Sequence, residues 1–105
     1  MAEVYQLRRN KSSEALVKIG DEQKCILPGA LGGALLTSRY GAKLPKDRWV
    51  VCLDKPENLW RDATDLYVPL FAWRDDGWDF NLDLWRGGWG VGCCLVLFRE
   101  LVSSP

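Results

Sequence analysis

The chain has 105 residues, 48% of them apolar and 27% charged, with a formal net charge of zero. That composition fits one folded domain, 1–105, with a hydrophobic core of its own; it excludes an intrinsically disordered chain, and the zero net charge argues against a dedicated nucleic-acid binder. Histidine is absent, which removes the commonest general base and the commonest metal ligand together.

In chain order, Val4 to Arg9 alternates enough to predict a strand, with Tyr5 and Leu7 on one face. Asn10 to Ser13 reads as a loop. Ala15 to Ile19 alternates again, with Ala15, Val17 and Ile19 inward and Leu16 outward. With a turn at Gly20-Asp21-Glu22 and a return strand from Lys24 to Leu27, it predicts a hairpin. Pro28-Gly29 breaks this pattern. Leu31, Ala34, Leu35 and Ser38 then recur at helical spacing, predicting a short helix near 30–39, although Gly32 and Gly33 weaken it by about 1 kcal/mol each relative to alanine.

Trp49 to Leu53 is a continuous apolar run, the pattern of a buried strand. Asp54-Lys55-Pro56-Glu57 carries an acidic cap and a proline in the first turn, so a helical turn is expected near 56–60. Asp76-Gly77 and Gly87-Gly88 are hairpin signals. Taken as two-residue loops, they predict a three-stranded meander near 67–75, 78–86 and 89–99. That register opposes Arg74 to Asp79, and places Phe71, Trp73, Trp78, Phe80, Leu82, Leu84, Val91, Cys93, Leu95 and Leu97 on one core face. The expected fold class is α+β, predominantly antiparallel β, with six or seven strands in a curled sheet or partly closed barrel. The alternative is a flat sheet covered by the 30–39 helix.

The opposite face of the meander carries the candidate site. Arg74, Asp79, Asn81, Asp83 and Trp85 share it, and the predicted register sets Gly90 and Gly92 beside Asp83 and Trp85, leaving a hollow. Carboxylates, an amide and an aromatic ring suit a polar or cationic small molecule or a partner protein. The chain is therefore expected to be a non-enzymatic binding module. A second reading is a small barrel-type enzyme using Asp79 or Asp83 as general acid or base. The plain alternative is a wetted sheet face, polar only because it meets water. Trp49, Trp73 and Trp78 are expected in the core; Trp60, Trp85 and Trp89 near turns or on the mixed face.

Other signals are weaker. Arg39, Lys43, Lys46 and Arg48 form a basic stretch that suggests, as a third reading, weak phosphate or nucleic-acid contact. Residues 1–48 hold nine Lys/Arg against five Asp/Glu and residues 49–105 the reverse, five against nine. Opposite charge on the two halves, and a wide apolar sheet face, are compatible with a homodimer. Glycines 29, 32 and 33 lack any phosphate-cradling spacing, and no cofactor or metal site is expected. The four cysteines, none in a C-x-x-C pair, read as free buried thiols. Val91 to Phe98 is too short to span a membrane and residues 1–5 lack signal-peptide features, so a cytoplasmic location is the default.

Overall fold

The computed structural model describes residues 2–99. Five strands form a single mixed sheet: β1 (Ala2–Gln6), β2 (Trp49–Val51), β3 (Tyr67–Arg74), β4 (Gly77–Leu84) and β5 (Cys93–Phe98), in the spatial order β1-β5-β2-β3-β4. Among the described residues two helices accompany it, α1 (Ser13–Glu22) and α2 (Gly29–Tyr40). The class is α+β, as expected, but the sheet has five strands, stays open, and pairs β2 parallel with β5. No helix among the described residues is long and apolar enough to cross a membrane.

The central strands explain the layering. From Cys94 to Leu97 every residue of β5 is buried, and Val50, Val51, Cys52 and Leu53 are buried too. A strand apolar on both faces needs a cover on both faces. On one side, Leu16 of α1 joins Val51, Leu53, Val68, Leu70, Leu95 and Leu97. On the other, Leu36 of α2 joins Val50, Cys52, Phe71, Cys94 and Val96. The meander therefore does not form. Cys93, Leu95 and Leu97 face α1 while Phe71 and Trp78 face α2, because β5 leaves β4 and inserts between β1 and β2.

The expected hairpin at 15–27 is replaced by α1. Its buried positions, Ser13, Leu16 and Gly20, have helical spacing, and Leu16, expected outward, is fully buried. Ser12 caps the helix by accepting from the Ala15 N–H at 3.1 Å. An apolar run this short fits either period; Ser12 caps the helical choice, and the burial of Leu16 in the core decides it. The helix expected near 30–39 forms as Gly29–Tyr40, and Pro56–Asn58 makes a 3-10 turn where a helical turn was expected.

The glycines of α2 serve close packing. A Cβ on Gly33 would lie 2.6 Å from both Cys52 Sγ and Phe71 Cε2. The helix backbone thus rests directly on β2 and β3, and the entropy cost of glycine is offset by that approach. The four cysteines are free. Burial pushes the Cys52 thiol up to about 12 and the Cys94 thiol up to about 11, so both are neutral packing groups.

The β3–β4 hairpin turns at Asp75-Asp76, both with positive φ (47° and 68°), instead of at Asp76-Gly77. Both aspartates take up the left-handed conformation that a type I′ turn requires. The pairing slides by two residues, so Arg74 opposes Gly77, and Ala72 opposes Asp79. A slide of two preserves sidedness, and Phe71, Trp73, Trp78 and Phe80 still share one face. The second turn signal fails. Trp85–Gly87 form a 3-10 turn, Gly88 has φ 69°, and Trp89 bridges to Lys11 as the chain crosses towards β5.

A buried polar hub fixes that crossing. Ser13 is fully buried; its Oγ donates to the Trp85 carbonyl at 2.7 Å and accepts from Trp89 Nε1 at 2.9 Å. Glu14 Oε1 accepts from Trp85 Nε1 at 2.6 Å. Trp89, expected near a turn or the mixed face, is a core residue, whereas Trp49, expected in the core, is 37% exposed. Ser13→Ala strands a buried indole N–H and a carbonyl, so stability falls by about 1–3 kcal/mol, read as a lower urea midpoint at unchanged slope. Gly33→Ala overpacks the α2–sheet contact by about 1–3 kcal/mol against a helix gain of at most about 1 kcal/mol, so its melting temperature drops.

Candidate functional site

β4 is an outer strand of the sheet. The phase of its hydrogen bonds follows from two flanking bonds. Trp85 N–H donates to the Leu66 carbonyl at 3.0 Å, and Cys52 N–H donates to the Pro69 carbonyl at 3.0 Å. Counting back in twos from Trp85, residues Asp83, Asn81 and Asp79 turn their backbone groups inward to β3. The alternate residues Trp78, Phe80, Leu82 and Leu84 turn theirs outward, away from the sheet. β4 contains no proline, lysine or arginine. The usual devices that blunt an edge are thus missing, save for its two aspartates.

The side chains of this edge divide by face. Asp79, Asn81 and Asp83 are exposed on the α1 side of the sheet, beyond the reach of α1. Arg74 lies on the same side, with Nε 4.0 Å from Asp79 Oδ2 and its guanidinium 5.4 Å from the Trp49 ring. Both members of that pair are more than half exposed, so it contributes little to stability. Asp83 Oδ1 accepts from the Leu84 N–H at 2.7 Å. Trp85 departs from the row: it packs against the α1-side core and is tied to Glu14.

The structure thus brings Arg74, Asp79, Asn81 and Asp83 to one open face and turns Trp85 towards α1. The expected hollow over Gly90 and Gly92 does not form beside them, since β5 is not the neighbour of β4. Gly90 instead lines a cleft with Asn10, Lys11, Arg86 and Trp89.

The other face of the same edge carries what the sequence reading left out. Phe80 and Leu82 are about half exposed there, at 51% and 43%. They border a hollow of about 260 Å³ that also includes Trp60, Tyr67, Pro69 and the start of α2 at Gly29. Trp60 is 59% exposed and its ring centroid lies 4.8 Å from that of Tyr67; Phe80 meets Phe71 edge-on at 5.4 Å. The alternation of Trp78, Phe80 and Leu82 with Asp79, Asn81 and Asp83 was the available signal. It became misleading once these apolar residues were assigned to the core.

The loop before β3 holds this hollow in shape. Asp62 accepts from the Thr64 and Asp65 N–H groups at 2.9 and 2.8 Å and from the Tyr67 hydroxyl at 2.7 Å. The Thr64 N–H, then the Tyr67 hydroxyl, lower the Asp62 carboxyl to about 2. On the far edge, Arg99, then Tyr5, hold the Glu3 carboxyl at about 2, joining β1 to the end of β5. The basic stretch is divided: Arg39 and Lys43 line a groove beside α2, while Lys46 lies 4.1 Å over the Trp73 ring and Arg48 Nη1 donates to the Val91 carbonyl at 2.6 Å. Among the described residues no cluster of three or more metal-ligating side chains occurs. Comparison with known proteins gives no match: no family model, no curated protein and no solved structure matches the chain.

Because both carboxyls are lowered in the folded state, their stabilisation is complete above the ordinary carboxylate range and is lost as pH falls towards about 2. Acid should therefore loosen the Trp60–Tyr67 hollow. In Asp62→Asn that part of the acid response disappears, followed as the change in tryptophan fluorescence between pH 5 and about pH 2.

Proposed function

We propose that this protein is a non-enzymatic binding module that takes an extended segment of a partner protein as an added strand along β4. The observation that carries this reading is the open edge of β4, with outward backbone groups at Trp78, Phe80 and Leu82; the Leu84 N–H is already taken by Asp83. An extended peptide satisfies such groups by β-augmentation, and pockets for alternate side chains supply selectivity. Here the two faces ask for two kinds of side chain. Asp79 and Asp83 favour lysine or arginine on one face. Phe80, Leu82 and the Trp60–Tyr67 hollow favour apolar groups on the other.

The same carboxylates disfavour a second copy of the chain. An antiparallel β4–β4 pairing centred on Asn81 sets Asp79 directly against Asp83 of the other copy, and like charges directly opposed are destabilising. The partner is therefore a strand of alternating basic and apolar residues.

A fluorescently labelled peptide of alternating lysine and valine should bind with saturable anisotropy, more weakly as salt rises. The matching glutamate–valine peptide should not bind. Asp79→Asn with Asp83→Asn should weaken the complex about three- to tenfold, as expected for two cross-strand charge pairs. N-methylation of alternate peptide nitrogens on one edge should abolish binding, since it removes the donors β4 requires. Equal binding of the methylated peptide would sink the reading.

A further inference from the structure

On the opposite edge of the sheet, α2 and β1 enclose a separate groove of about 610 Å³. This is within the range of small-molecule sites, about 300–1,000 Å³. Its apolar wall is formed by Val4, Leu35, Leu36, Leu44 and Phe98, with Tyr40 at its border. Val4, Leu35 and Tyr40 remain 43%, 51% and 51% exposed, so the groove is apolar surface left open to solvent.

Among the described residues, the charged ones that line the groove are both cations, Arg39 and Lys43. Arg39 lies in the last turn of α2 and Lys43 in the 3-10 turn that follows it, and both line the same groove. Among the described residues neither side chain has an ion pair, hydrogen bond or ring contact, whereas Lys46 lies over Trp73 and Arg48 bonds the Val91 carbonyl. An apolar trough ending in two unneutralised cations is complementary to a molecule with an apolar tail and an anionic head.

We propose that this groove binds a single-chain anionic amphiphile of the long-chain carboxylate class. The tail lies against Val4, Leu35 and Phe98, and the carboxylate is held by Arg39 and Lys43. The guanidinium offers a planar fork that suits a carboxylate, and the ammonium adds a second positive charge. The site is independent of β4, since the groove lies across the sheet from it.

The test is calorimetric titration with dodecanoate below its micellar concentration, beside decanoate and neutral dodecanol. Dodecanoate should bind saturably at one site, with affinity rising about fourfold per methylene over decanoate. Arg39→Gln with Lys43→Gln should weaken dodecanoate about tenfold and leave dodecanol unchanged. Leu35→Glu, at an exposed position, should abolish carboxylate binding while circular dichroism stays native. Asp79→Asn with Asp83→Asn should leave the titration unaltered, which separates this site from β4. The proposal is overturned if dodecanoate fails to saturate, if dodecanol binds as tightly, or if the Arg39/Lys43 variant binds dodecanoate normally. It is also overturned if an acidic amphipathic peptide occupies the groove and dodecanoate does not displace it.

Discussion

Everything in this structure depends on β5 being apolar on both faces. A strand with Cys94, Leu95, Val96 and Leu97 all buried cannot lie at an edge or face water on one side. It must have a strand on each flank and a helix over each face. β1 and β2 provide the flanks, α1 and α2 the faces. The parallel β2–β5 pairing follows from that demand, since β5 has to leave the hairpin that precedes it and cross to the middle of the sheet. Pro69 limits the same core from the β3 side: it lacks an N–H to offer towards Cys52, and β2 ends after only three residues.

The crossing is costly to hold, because it brings a backbone carbonyl and an indole N–H under the first turn of α1. Ser13 answers both with a single hydroxyl that donates to one group and accepts from the other. An apolar side chain at this position satisfies neither group. Glu14 then fixes Trp85 from outside. One short sequence, Ser12-Ser13-Glu14, therefore caps a helix and locks the connection between β4 and β5.

Centring β5 leaves β1 and β4 as the two edges, and each edge has a different character. β4 projects past α1 on one face and past the body of α2 on the other, so its aspartates and its Phe80–Leu82 pair are both open. β1 is tied down by Glu3 and Arg99 but leaves an apolar groove against α2. Binding surfaces at the margins are a consequence of a core that takes the helices to the middle. The tryptophans follow the same logic. Trp89, beneath α1, is buried, and Trp60, beside the β4 edge, is largely exposed.

The sequence by itself determined what depends on neighbouring residues. The α+β class, the strands at Trp49–Val51 and Tyr67–Arg74, the helix after Pro28 and the turn at Pro56 were legible in local runs, caps and breakers. So was the sidedness of the β3–β4 hairpin, because a two-residue slide leaves every side chain on its own face. Arg74, Asp79, Asn81 and Asp83 therefore came out together on one face even though their exact partners were misassigned. Tertiary structure alone decided where β5 pairs and whether residues 13–22 wind into a helix. Both are contests between local patterns of nearly equal strength. A Gly-Gly turn signal yields when the next strand gains more by burying two faces than by extending a meander. A ten-residue run that fits either period winds into the helix whose Leu16 fills the core and whose Ser13 satisfies a buried indole.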